Sequence, residues 1–193
     1  MKNIARSEAG RVHGPNWLTW LGHLAGQPNI VGMEIGTFEG DSAEWMLENI
    51  FTHETSHYHC IDPFTGSIEH KVGGINTTKL EETTRAKLAK FKNVEIHKGY
   101  SQEVLRSLMP KAHAIYVDGD HTTRGALRDG VLSFELLHVG GVMIFDDYMW
   151  AVFPNELDRP KAGVDAFLKC YRRQIEVISP KNMWQVAIKK INE

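Results

Sequence analysis

The chain is poor in cysteine. Two occur in 193 residues, Cys60 and Cys170, so no disulfide framework is expected and both read as packed thiols in a reducing cytoplasm. Charge of one sign is not in excess either. Net charge is −2 and the isoelectric point about 6.6, which argues against nucleic acid or an anionic membrane as partner. No apolar run approaches a membrane span, and the first residues, MKNIARSEAGRVHG, lack the apolar stretch of a signal peptide. No internal repeat or low-complexity linker divides the chain, so a single domain is expected. The dinucleotide fingerprint G-x-G-x-x-G is missing as well. In EIGTFEGDS (Glu34–Ser42) the middle glycine is replaced by Phe38, against which a pyrophosphate would fit poorly.

What is present is alternation. Strand-like runs fall at Asn29–Gly36, His57–Asp62, Val94–Gly99, Ala114–Asp120 and Gly141–Asp147. Helical patterns lie between them: Asp41–Phe51, capped by Asp41 or Ser42, then Thr77–Phe91, Ser101–Leu108, with Ser101 as its N-cap, and Thr122–Leu137. The alternation predicts an α/β fold, a Rossmann-like doubly wound sheet that is mostly parallel. After a helix at Lys161–Arg172, the runs Gln174–Ser179 and Met183–Lys190 are joined by a turn too short for a crossover. They form a C-terminal antiparallel hairpin. Residues 1–28 are read as an N-terminal helical lid segment and 29–193 as the core. Trp17 and Trp20 in that first segment are also at core spacing.

In an open parallel sheet, ligands bind beyond the carboxyl ends of the strands. The polar clusters fall there. Gly36 and Gly40 allow a sharp turn into a helix N-terminus with Ser42 nearby. Asp62 ends the second strand, where a carboxylate can take both hydroxyls of a ribose. The third strand leads into GYSQE, with a backbone turn, a hydroxyl and an amide. The fourth and fifth strands end in VDGDH and IFDDY. Carboxylates so crowded at two apolar strand ends need a cation, and oxygen ligands suit Mg²⁺, Mn²⁺ or Ca²⁺.

From about Gly32 onward, EIGTFEGDS, CIDP, GYSQE, VDGDH and GGVMIFDDY resemble, in order and position, the class I S-adenosylmethionine-dependent methyltransferases. They are most similar to small metal-dependent O-methyltransferases, the catechol O-methyltransferase type and related bacterial sugar and natural-product enzymes. The resemblance implies S-adenosyl-L-methionine as cofactor. It assigns the methionine moiety to Glu34, Gly36 and Ser42, with Thr37, Phe38 and Gly40 of the same turn also binding the cofactor. The ribose falls to Asp62 with Pro63, and the adenine side to Tyr100, Ser101 and Gln102, with Asp118 close by. It implies a divalent cation, Mg²⁺ first, on Asp118, Asp146 and Asp147. His121 stands where the catechol type has its lysine base, three positions after the first metal aspartate, so His121 and Asp118 are the catalytic candidates.

The implied partner is a small-molecule hydroxyl acceptor, with a homodimer left open. Tyr148 and Trp150 would wall its pocket, Phe153 flanks the same region, Asp120 would orient His121 or stand in for Asp147, and His70 and Lys71 read as solvated loop residues before contacts to an acidic substrate. Two other enzyme readings are weaker. Asp118–Thr122 matches the D-x-D-x-T pattern of haloacid-dehalogenase-type phosphatases, but there the motif ends the first strand. A Rossmann oxidoreductase conflicts with Phe38. A non-catalytic cofactor-binding module of the same fold is the remaining alternative.

Overall fold

A computed structural model describes residues 8–67, 74, 76–108, 110–151 and 153–193. His70 and Lys71 lie outside the described residues. The strands are β1 (Val31–Ile35), β2 (His57–Asp62), β3 (Val94–Lys98), β4 (Ala112–Val117), β5 (Leu137–Phe145), β6 (Ile175–Val177) and β7 (Val186–Lys190). The helices are α1 (Glu8–Leu21), α2 (Asp41–Asn49), α3 (Leu80–Leu88), α4 (Ser101–Ser107), α5 (Thr123–Leu136) and α6 (Pro160–Cys170). The sheet runs β3-β2-β1-β4-β5-β7-β6. β1 to β5 are parallel, and β7 pairs antiparallel with both β5 and β6. Strand order reverses between β1 and β4, which opens a crevice beyond their carboxyl ends.

Two cores sandwich the sheet. On one face Trp17, Trp20, Met46, Leu47 and Leu88 pack on Tyr58, Cys60 and Tyr116. On the other, Leu105, Phe134, Val164 and Phe167 pack on Met33, Ile35, Ile61 and Val117. The alternation of β2 and β4 residues between the two clusters is the period of two that a pleated strand imposes. Trp17 is fully buried, edge-on to Trp45 and Tyr116 with ring centroids 5.0 and 5.3 Å apart. Both N-terminal tryptophans therefore belong to the core.

The expected hairpin is present, and β2 has the bounds read from sequence. Two helix starts differ from expectation. The residue preceding α2 is Gly40, in the left-handed region at φ 77°, and no side chain caps that end. Asp41 sits inside the first turn and pairs with Lys87 instead. Tyr100 precedes α4, so Ser101 is helical and its hydroxyl is free to bond elsewhere. Among the described residues, no helix is long and apolar enough to cross a membrane.

Truncating Trp17 to alanine should cost ~3–5 kcal/mol, the usual range for a buried aromatic. Urea unfolding of the Trp17→Ala variant measures it, and an unchanged midpoint would detach α1 from the folding unit.

Candidate functional site

A cavity of about 650 Å³ opens beyond the carboxyl ends of the parallel strands. That is ample for a nucleoside-sized ligand. Its geometry is set by how closely the strand ends approach. The Asp118 amide donates to the Ile35 carbonyl at 2.8 Å, and the Gly36 amide to the Ile61 carbonyl at 2.9 Å. A Cβ on Gly36 would lie 1.8 Å from the Asp118 carbonyl oxygen, and Gly36 sits at φ 87°. Only glycine fits this position.

Of the expected cofactor residues, Gly36, Phe38, Asp62, Pro63, Tyr100, Ser101, Gln102 and Asp118 line the cavity. Phe38 adopts the left-handed region at φ 47°, strained for an aromatic residue. Three contacts hold it there or nearby. Its amide donates to Asp62 Oδ2 at 2.8 Å, the Phe64 amide donates to Asp62 Oδ1 at 2.5 Å, and Thr84 Oγ1 donates to the Phe38 carbonyl at 2.6 Å. Each Asp62 oxygen accepts one backbone N–H in these contacts, and a carboxylate oxygen can accept a second donor.

Glu34, Thr37, Gly40 and Ser42 do not line the cavity. Glu34 is fully buried, and Tyr58 Oη donates to its Oε2 at 3.3 Å. Burial pushes its carboxyl up to about 8, against the Ser42 hydroxyl that pulls it down.

On the other side of the cavity, Asp118, His121 and Asp147 converge. His121 Nε2 is 3.2 Å from Asp118 Oδ1 and 3.4 Å from Asp147 Oδ2. Asp147 reaches in from φ 55°. Burial raises the Asp118 carboxyl well above the ordinary range; the His121 hydrogen bond opposes this, and the Asp146 and Asp147 charges add to the rise. Some 28% of that side chain still faces the cavity.

Asp146 is placed differently from expectation. Its Oδ2 accepts from the Tyr116 hydroxyl and from Gln185 Nε2 at 3.0 Å, and its Oδ1 from the Asp147 amide at 2.7 Å. The antiparallel β7 brings buried Gln185 against the end of β5, so this carboxylate is held by donors and does not join the cluster. Asp120 does not orient His121. It accepts from the Thr122 amide at 3.1 Å and faces Arg128 at 3.7 Å.

Trp150 and Phe153 line the cavity beside the acidic cluster. Trp150 stands edge-on to His121 at 5.3 Å and to Phe153 at 5.6 Å. Tyr148 turns away, donating to Asp165 Oδ1 at 2.7 Å beneath Lys161. Arg128 and Asp129 were missed from sequence. Both line the cavity, and Asp129, 1% exposed, accepts from the Ser101 hydroxyl at 2.6 Å. The available signal was a carboxylate on the buried stripe of α5, three residues after Ala126 and four before Ser133.

The family model described as a methyltransferase domain matches residues 33–148, more than half of the chain, and the chain belongs to that family. Similar solved structures agree on the fold. The O-methyltransferase TomG of Streptomyces achromogenes, in complex with SAM, is 15% identical, with a TM-score of 0.66 over 100% of this chain and 92% of that one. A methyltransferase of Podospora anserina, bound to SAH, is 17% identical, with a TM-score of 0.60 over 84% of this chain and 72% of that one. An rRNA methylase of Streptococcus thermophilus is 12% identical, with a TM-score of 0.60 over 90% and 93%. An uncharacterized protein of Acanthamoeba polyphaga mimivirus is 30% identical over 129 residues, 62% of this chain and 52% of that protein. The chain spans about half the length of that relative.

The buried Glu34 generates a pH dependence. Its folded-state pKa is raised above the ordinary 4.5 to about 8, so the native state binds the extra proton between those values. Stability from this group is full below pH 4.5 and is lost as pH rises toward 8, on the order of 4 kcal/mol. Comparing urea unfolding of wild type and Glu34→Gln from pH 5 to 8 should show the wild type losing ground steadily. Parallel curves would mean that Glu34 is not buried in its acid form.

Proposed function

We propose that the protein is an S-adenosyl-L-methionine-dependent O-methyltransferase acting on a small-molecule hydroxyl, assisted by a divalent cation. The observation that carries this reading is a single cavity with two ends. One end has a nucleoside-type lining, Asp62 and the Tyr100–Gln102 turn. The other has an acidic cluster, Asp118, His121 and Asp147, walled by Trp150 and Phe153.

Asp62 would take the ribose hydroxyls on its second acceptor positions while holding the Phe38 and Phe64 amides. Ser101, tied to Asp129, and Gln102 would face the adenine. Phe38 and the Gly36 turn would confine the methionine part, with Glu34, Thr37, Gly40 and Ser42 supporting that turn.

The donor chemistry at the other end fits a cation. Two carboxylate oxygens and an imidazole nitrogen lie within 4.8 Å of one another, in a place where burial and like charge already raise Asp118. The two carboxylates suit Mg²⁺ or Mn²⁺. Asp118 and Asp147 would hold it, and when bound it would lower the pKa of the acceptor hydroxyl. With Asp118 and Asp147 engaged by the cation, His121 Nε2 would be released from them and would take the hydroxyl proton. Trp150 and Phe153 would exclude water and align the acceptor oxygen with the methyl group, since in-line displacement depends on positioning. A net charge of −2 favours a small molecule over RNA as acceptor. With two cysteines, one buried and one exposed, the cytoplasm is the proposed compartment.

Calorimetric titration with S-adenosylhomocysteine should give micromolar binding, and Asp62→Ala should weaken it ~10–100-fold, the equivalent of ~1–3 kcal/mol. No binding by the wild type would end the methyltransferase reading, while an undiminished Asp62→Ala variant would remove only the ribose assignment.

With an acceptor in hand, His121→Ala should lower turnover by ~10²–10⁴-fold while Mg²⁺ or Mn²⁺ binding persists. Asp118→Asn should lose both. If His121→Ala abolishes metal binding as well, His121 is a ligand and the base lies elsewhere.

A further inference from the structure

Ten histidines occur in the chain, and two of them face a carboxylate at the sheet edge, outside the cavity lining. His59 lies on β2; Glu95 and His97 lie on the edge strand β3. The parallel register sets His59 opposite Glu95 and Ile61 opposite His97. Residues two apart on a strand share a face, so the three side chains stand together.

His59 Nδ1 is 3.0 Å from His97 Nε2. Glu95 closes the triangle, with Oε2 3.7 Å from His59 Nδ1 and Oε1 3.8 Å from His97 Nε2. A tetrahedral Zn²⁺ with bonds of about 2.0–2.1 Å holds any two donors roughly 3.3 Å apart. The observed edges bracket that value, so small side-chain rotations suffice to close them on an ion.

Accessibility is suited to capture. The His59 and His97 side chains are 11% and 19% exposed, which fixes both nitrogens, whereas Glu95 is 67% exposed and free to swing. The ion-pair partners of Glu95 among the described residues are these two histidines. Lys98, the next residue on β3, is paired with Glu81 instead. The other close histidine pair, His113 and His138, has ring centroids 4.6 Å apart, but His113 Nδ1 accepts the Val31 amide and is already engaged.

The structure assigns a second metal site to His59, Glu95 and His97. Its nitrogen-rich donor set selects a borderline divalent ion, Zn²⁺ foremost, with water completing the shell. This differs from the oxygen-rich cluster at Asp118 and Asp147. The ion would staple the edge strand β3 to β2. Those two strands end at Asp62 and lead into the Tyr100–Gln102 turn, so the staple stiffens the walls of the nucleoside end from outside the cavity.

The test uses metal-free, untagged full-length protein and Zn²⁺ in equilibrium dialysis, with thermal unfolding alongside. Asp118→Asn/Asp147→Asn serves as background, so that the cavity cluster does not contribute. One equivalent of Zn²⁺ should bind this background and raise its unfolding temperature. Adding His97→Ala, or the exposed Glu95→Gln if the first does not fold, should weaken binding at least tenfold and abolish the shift. The assignment is overturned if the background binds no Zn²⁺, or if Glu95→Gln and His97→Ala bind it as the background does.

Discussion

The contact on which the site depends is between two pieces of backbone. Gly36, leaving β1, runs so close to the Asp118 carbonyl at the end of β4 that no side chain fits between them. The Asp118 amide closes the same junction on Ile35. Because β1 and β4 are the strands where the order reverses, this junction lies at the centre of the crevice. The chain leaves it in two directions. From β1 it turns through Phe38 toward Asp62, and from β4 through Gly119 toward His121. The end of the cavity at Asp62 and the acidic end are thus fixed to one ladder, and the distance between them is set by hydrogen bonds, not by flexible loops.

Strain is placed along the same line. Phe38, Phe64 and Asp147, all with positive φ, lie at or beside the ends of β1, β2 and β5. Each such residue costs on the order of 1 kcal/mol and persists only where its surroundings over-determine it. For Phe38 and Phe64 the determining group is one carboxylate. Asp62 accepts both amides, so it shapes the cavity before it meets any ligand. For Asp147 it is its neighbour, since Asp146 accepts the Asp147 amide while being held by Tyr116 and Gln185. Of the two adjacent aspartates, one acts as a bracket and the other faces the cavity.

That division explains what was legible in the sequence. The strands, their order of use and the hairpin follow from apolar runs that stop on charges, a signal carried by neighbouring residues. So do Asp62, Asp118, His121 and Asp147, which simply end those runs. Asp146 was not separable from Asp147, because its donors come from Tyr116 and from Gln185, 39 residues further along. Asp129 escaped because its partner, Ser101, is on another helix. The same remoteness misassigned Ser101, read as a cap when its hydroxyl is directed to Asp129. Local pattern locates strand ends; pairing between distant elements decides what each polar group there does.

The carboxylates at and behind the cavity then divide by partner type. Glu34 has hydroxyls around it and is pushed toward its acid form, so it stays neutral inside the core. Asp146 is satisfied by a phenol and an amide. Asp129 is raised by burial but held down by Ser101 and Arg128. Asp118 is raised by burial and by two carboxylates, Asp146 and Asp147, where Glu34 and Asp129 each feel one, and one imidazole opposes the rise. Neutralising it with a proton would waste the convergence of Asp147 and His121. A positive charge placed among the three relieves desolvation and repulsion together. Among the carboxylates raised by burial, Asp118 is the one that faces two neighbouring acids and lines the cavity, and this is why the proposed cation is placed there.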